Sequence, residues 1–255
     1  MSLIAEMMSA AATPSGLGIS LVSNAAKTGD AASVVTQNVT PQEDDLIVVV
    51  AYTTADMTSS SFSVSGDVSG AFTSGSSKVQ AGTVAADSVF GEVFYQLAGA
   101  SPDTSVSLAA TTGTATADGS GVLVYIFRNA DTSTPLDTTT TSATNASAGD
   151  VSAASITTVT PGAWVLQGVG IGDGSLTTTS FGLPQISGTT AVADTTVSYW
   201  VAATRTAGTD DLGAVGAVVF NSLPTATPSM VFRYDGSAQK SVAFSVAIRP
   251  ANPGL

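Results

Sequence analysis

Side chains able to do acid–base or metal chemistry are scarce and dispersed in this chain. Carboxylates gather at Glu43-Asp44-Asp45, at Asp118, at Asp131 and Asp137, at Asp173 and at Asp210-Asp211. Hard cations such as Ca²⁺ take carboxylate and main-chain oxygens, so loops of this kind are chemically able to hold one. None has the D-x-[DN]-x-[DN]-G spacing of a dedicated calcium loop, and the capping of turns explains the same residues. A glycosidase needs two carboxylates facing each other across a cleft. The glutamates are Glu6, Glu43 and Glu92, and none lies in an aromatic-rich setting. There is no His and no Cys, which removes a Ser-His-Asp triad, thiolate chemistry and zinc fingers. Serine is abundant, but no G-x-S-x-G elbow is present.

Two other patterns could form a binding site. Gly168-Val-Gly-Ile-Gly-Asp-Gly174 places Gly168, Gly170, Gly172 and Gly174 on one face of a strand, a strip of bare backbone. It is not a phosphate loop, because no Gly-Lys-Ser/Thr follows and no helix opens after it. It either lets a ligand or partner chain approach closely or accommodates a bulky neighbour such as Trp200 or Phe181. Trp164, Tyr199 and Trp200 could stack on sugars, although the adjacent Tyr199 and Trp200 point to opposite faces of a strand. Asn38-Val-Thr and Asn145-Ala-Ser are formal glycosylation sequons. The 7 Lys and Arg are scattered among 19 Asp and Glu, giving a net charge of −12. Nucleic acid is excluded as a partner, since phosphate binding needs clustered cations. No apolar run reaches the ~20 residues of a membrane helix.

The elements available to position these residues are strands. Leu46–Tyr52 and Val122–Phe127 are continuous apolar runs, the pattern of strands buried on both faces. Val89–Leu97, Ala163–Ile171, Ala214–Phe220 and Val242–Ile248 add further strands, with shorter ones between turns rich in Gly, Ser, Asp and Pro. Residues 132–149 are almost all Thr, Ser, Ala and Asp and read as a linker or exposed crossover. Residues 3–11 have one apolar face at helical spacing, so 1–17 forms a short N-terminal helix or arm, a candidate anchor. Met1–Ala12 lacks a basic region and does not read as a secretory signal.

The plan repeats within the chain. Val39-Thr-Pro41 before an apolar strand recurs as Val159-Thr-Pro161, and Phe94-x-x-Leu97-x4-Pro102 recurs as Phe220-x-x-Leu223-x4-Pro228. Both copies close on an apolar strand ending in Arg, at Arg128 and Arg249. The expected fold is all-β: an antiparallel β-sandwich, jelly-roll-like or immunoglobulin-like, over 18–255 with pseudo-repeat halves at about 18–137 and 150–255. One sandwich is preferred to two in tandem, because the apolar strands need cover on both faces. The second copy lacks the Asp, which makes the Asp131–Asp137 loop an optional crossover.

The stretch Val122–Phe127, Arg128, Asn129, Asp131, Thr134-Pro135-Leu136 resembles a pattern in β-sandwich proteins of bacteriophage particles and bacterial surfaces. Asp44-Asp-Leu-Ile-Val-Val-Val50, Phe94-Tyr95 and Val246-Ala-Ile-Arg249 fit the same layout. Asn129 stands where Gly is commoner. The resemblance implies a virion accessory protein, either a capsid decoration (cement) protein or a tail or fibre component. It implies no catalytic, cofactor-binding or metal-ligating residue. The expected partners are other virion proteins, a major capsid protein or tail proteins, and further copies of the chain in a trimer. A carbohydrate-binding module using the loop carboxylates and Trp164 or Trp200 is the alternative.

Overall fold

The computed structural model describes residues 18–29, 34–54, 61–82, 88–111, 119–145, 151–173, 185–186, 198–204, 211–221, 230–232 and 240–251. The expected arm at 1–17 lies outside them. In chain order the strands of the first half are β1 (Ser20–Gly29), β2 (Val35–Asn38), β3 (Leu46–Thr54), β4 (Ser61–Gly66), β5 (Gly70–Ala71), β6 (Thr73–Ser74), β7 (Val79–Ala81), β8 (Val89–Leu97), β9 (Ser105–Thr111) and β10 (Ser120–Arg128). Those of the second are β11 (Thr141–Asn145), β12 (Val151–Ser152), β13 (Trp164–Asp173), β14 (Gln185–Ile186), β15 (Ser198–Thr204), β16 (Asp211–Asn221), β17 (Met230–Phe232) and β18 (Lys240–Ile248). No helix occurs among the described residues.

Each half builds two antiparallel sheets. The first half forms β1-β10-β3-β8-β6, with β7 also on β8, and β2-β9-β4-β5. The second forms β11-β18-β13-β16-β15 and β12-β17-β14. Strands β1, β10, β3 and β8 of one half correspond in order to β11, β18, β13 and β16 of the other. Strands β2, β9 and β4 correspond likewise to β12, β17 and β14. This alternation of strands between two sheets is jelly-roll wiring, so the pseudo-repeat is a repeat of topology.

Three of the sheets stack, with the six-stranded sheet between the five-stranded and the four-stranded one. Side chains of β3 and β10 alternate between two cores. Val48, Val50, Tyr52, Leu123, Tyr125 and Phe127 face the second half, meeting Leu166, Val219, Phe244 and Val246. Ile47, Val49, Val124 and Ile126 face the four-stranded sheet, meeting Val35, Val64, Val106 and Leu108. Beyond the five-stranded sheet lies a small cluster of Ile156, Val165 and Ala247. The continuous apolar runs therefore do have cover on both faces, supplied by a middle position in the stack.

The reading of 132–149 as linker is corrected at its centre. Thr141–Asn145 pairs antiparallel with β18, Thr141 opposite Ser245 and Asn145 opposite Ser241. An edge strand of Thr, Ser and Ala buries little, and the main-chain ladder together with the β propensity of Thr holds it. β1 likewise runs further than its apolar start, to Gly29, by pairing with β10.

Candidate functional site

The end of the stack where β10 and β18 finish holds most of the chain's described charge chemistry. Arg128 leaves the end of β10 and grips Asp45 with two hydrogen bonds, Nε to Oδ1 at 2.9 Å and Nη2 to Oδ2 at 2.9 Å. Asp45 Oδ2 also accepts the Gln42 N–H at 2.8 Å, so the carboxylate fixes the turn that starts β3. Its side chain is 2% exposed and that of Arg128 38%. Hydrogen bonding to the Asp45 carboxylate raises the Arg128 pKa above its ordinary value. Removing the two partners should differ accordingly. Arg128→Ala strands a buried carboxylate and is expected to cost about 3–5 kcal/mol. Asp45→Ala leaves a guanidinium that reaches water and is expected to cost about 2–3 kcal/mol. Urea midpoints of the two variants check this, and the reverse order would contradict it.

The loop after Arg128 is a clasp between the halves, which corrects its reading as an optional crossover. Asn129 has φ of 61°, a left-handed conformation that Asn tolerates and Gly prefers, so the departure from Gly leaves the turn intact. Asp131 N–H donates to Arg249 O at 2.9 Å, Arg249 N–H to Pro135 O at 2.8 Å and Ala251 N–H to Asn129 O at 2.9 Å. Asp131 Oδ1 accepts the N–H groups of Ser133 and Thr134 at 2.7 and 2.9 Å, and those bonds lower its pKa. Asp137, 3% exposed, accepts Val159 N–H at 2.6 Å. Its other oxygen lies 3.5 Å from Arg249 Nε, an ion pair longer than a direct hydrogen bond. Each half thus ends on an Arg held by a buried Asp, from the turn before β3 in one case and from the clasp in the other.

The glycine strip is filled. A Cβ on Gly170 would overlap the Tyr52 ring, one on Gly172 would overlap Val89, and one on Gly168 would lie 3.1 Å from Leu123. Gly91, opposite Tyr52 in the β3–β8 register, forms the other wall, where a Cβ would lie 2.8 Å from the ring. Of the two readings, the bulky neighbour is the one observed, and among the described residues it is Tyr52 at Gly170, Val89 at Gly172 and Leu123 at Gly168. Gly174 and Phe181 lie outside the described residues, as do the side chains of Tyr199 and Trp200. Trp164 packs on the central core, edge-on to Phe127 with centroids 6.5 Å apart. Tyr125 donates to Ala217 O at 3.0 Å, and burial raises its pKa.

Two acids that sequence reasoning missed form a reciprocal lock at the β4–β5 turn. Asp103 accepts Val68 N–H, Ser69 N–H and Ser69 Oγ–H at 2.8, 2.8 and 2.7 Å. Asp67 accepts Thr104 N–H, Thr104 Oγ–H and Ser105 N–H at 2.8, 2.6 and 3.0 Å. The recurring Asp-x-Ser of Asp67-Val-Ser69 and Asp103-Thr-Ser105 was the available signal. The Thr104 hydroxyl, then the main-chain donors, hold the Asp67 pKa down at about 2, from an ordinary 3.8. A lowered pKa means that the folded state binds its proton more weakly. The contribution is therefore whole above about pH 5 and is lost progressively as pH falls through about 2. Asp67→Asn is expected to lower the urea midpoint at pH 6 and to lower it much less near pH 2. A gap unchanged between those pH values would contradict this.

No group of three or more potential metal ligands occurs among the described residues. Glu43 is exposed beside the turn residue Asp44, whose φ is 66°. Glu92 is pushed up by burial and bonded by Ser74 Oγ at 2.7 Å, with Lys78 as its charged neighbour. Asp118 and Asp210 lie outside the described residues, as do the side chains of Asp173 and Asp211. Asp45, Asp67, Asp103, Asp131 and Asp137 act on turns and strand ends, and Glu92 bridges strands β8 and β6.

No family model matches the chain, and no curated protein matches it in sequence. A solved structure described as the crystal structure of the STIV MCP, a viral major capsid protein, aligns over 89% of this chain and 97% of its own, at 10% identity and a TM-score of 0.27. Superposition at that level establishes neither a shared fold nor a shared role. What the geometry itself defines is an antiparallel β-sandwich protein of paired jelly rolls.

Proposed function

We propose that the chain is a non-enzymatic structural protein of a phage particle, a capsid decoration (cement) protein that stabilises the head by protein–protein contacts. The observation that carries this reading is the use made of the polar groups. Asp45, Asp67, Asp103, Asp131 and Asp137 are bound into turns and strand ends, and the glycine strip is occupied by Tyr52. The described fold spends its chemistry on holding its own shape and turns outward a surface of short, mostly uncharged side chains. Jelly rolls serve capsids, lectins and cupins alike, and a fold alone assigns no activity. The resemblance of the strand–Arg–Asp–Pro-Leu stretch to phage virion proteins favours the first of these. The partners would be a major capsid protein and further copies of this chain, and the location the virion.

Particles of the encoding phage grown without this chain test the reading. They are expected to take up the purified protein to a fixed copy number and then to release DNA at a higher temperature. Uptake on tails would overturn the head assignment, and no uptake would overturn the virion role.

A further inference from the structure

The register lays the closing ends of the two halves over one another. The β3–β10 ladder ends on Leu46 opposite Phe127, which sets Asp45 opposite Arg128. The β13–β18 ladder ends on Trp164 opposite Ile248, which sets Ala163 opposite Arg249. The turns before β3 and β13 agree too. Asp45 N–H donates to Gln42 O at 3.1 Å and Ala163 N–H to Thr160 O at 3.2 Å. The residue before each is left-handed, Asp44 at φ 66° and Gly162 at φ 78°. Ala163, fully buried, therefore stands in the place of Asp45 without its carboxylate. The Asp137 carboxylate makes both contacts in its stead. Its Oδ2 accepts Thr160 N–H at 3.3 Å, as Asp45 Oδ2 accepts Gln42 N–H at 2.8 Å. Its Oδ1 lies 3.5 Å from Arg249 Nε, as Asp45 Oδ1 lies 2.9 Å from Arg128 Nε.

We propose that residues 129–137 are a latch on the second half: Asp137 stands in for a carboxylate that position 163 lacks, and the closing ion pair exists only while the latch is seated. Asp45 belongs to the turn of its own sheet, so Arg128 keeps its partner whatever the other half does. Asp137 belongs to an edge segment laid along the end of β18. Asp137 N–H donates to Ala247 O at 2.8 Å, Arg249 N–H donates to Pro135 O at 2.8 Å, and Leu136 bridges to Ile248. Ala130, Pro135 and Asp137 are the buried residues of that segment, and Thr132, Ser133 and Thr134 are exposed. A segment held by hydrogen bonds with so little apolar burial opens at lower free energy than the core. Its opening takes the counter-charge from Arg249. The same event frees Val159 N–H from Asp137 Oδ2, Arg249 N–H from Pro135 O and Ala251 N–H from Asn129 O. The Arg128–Asp45 pair of the first half stays closed.

Native-state hydrogen exchange of the full chain and a double-mutant cycle test this together. The amides of Val159, Arg249 and Ala251 are expected to exchange as one unit, through an opening that depends little on urea because it exposes little surface. Asp137→Asn should speed all three about tenfold or more and leave the amides of Asp45 and Ala98 unchanged. Asp137→Ala should lower the melting temperature by about 10 °C. Ala163→Asp alone should lower it too, since two carboxylates then crowd one site. Combined, the two should regain most of that loss, because the carboxylate at 163 then holds Arg249 from its own turn. The Arg249 and Ala251 amides should nevertheless stay fast in the double variant, whose ion pair no longer holds the latch down. Asp137→Asn replaces Asp137→Ala in the cycle if the latter does not fold. Losses that merely add overturn the stand-in. Exchange of the three amides only with global unfolding overturns the latch.

Discussion

Gly170→Val is expected to lower the unfolding free energy by about 3 kcal/mol or more, because the new side chain has nowhere to go. Its Cβ falls on the Tyr52 ring, and that ring cannot move aside. It is fully buried, with Gly91 behind it and Phe244 at a centroid distance of 6.2 Å. Gly99→Ala, with nothing within 4 Å of its Cβ, is the control and should change stability by a few tenths of a kcal/mol. Urea unfolding measures both. The contact also predicts non-additivity. Tyr52→Ala alone opens a cavity costing about 3–5 kcal/mol, yet combined with Gly170→Val the total should fall short of the sum by about 1–3 kcal/mol. Tyr52→Phe should behave differently again. The Tyr52 hydroxyl is buried with no hydrogen-bond partner among the described residues. Removing it should be neutral or stabilise by up to about 1 kcal/mol, since an unmet buried hydroxyl is a cost. A loss of 1 kcal/mol or more would show that the hydroxyl has a partner.

That contact also marks where the sequence stopped being legible. One reading of the glycine periodicity was a bulky neighbour, which sequence reasoning sought on nearby strands of the same half. Tyr52 comes from the other half, across an interface that leaves no local pattern. The ion pair of Asp45 and Arg128 joins residues 83 positions apart and was invisible for the same reason. The strands buried on both faces, β3 and β10, were readable because burial writes itself as an unbroken apolar run. β11 and most of β1 were not, because an edge strand held by main-chain pairing can be made of Thr, Ser and Ala. The clasp was misjudged because the second half closes on Arg249 without an Asp after it. The missing Asp is Asp137, supplied from the linker.

A chain ending at Thr139 is expected not to fold, although it contains every strand of the first jelly roll. Truncation would expose the face of β3 and β10 that carries Val48, Val50, Tyr52, Leu123, Tyr125 and Phe127, all at most 2% exposed in the whole chain. At about 1.5–3 kcal/mol for each such side chain, the loss is on the order of 10–20 kcal/mol, against a net stability of about 5–15 kcal/mol for an ordinary domain. The clasp bonds to Arg249 and Ala251 and the Arg249–Asp137 pair would go as well. The fragment should aggregate, or stay soluble without near-ultraviolet circular dichroism, while the full chain melts in one calorimetric transition. A soluble fragment with its own cooperative transition would show the halves to be independent. The reason for expecting otherwise lies in β3 and β10 themselves. Each needs the four-stranded sheet for Ile47, Val49, Val124 and Ile126, and the second half for the alternate residues. A strand with two apolar faces makes the two jelly rolls one cooperative structure.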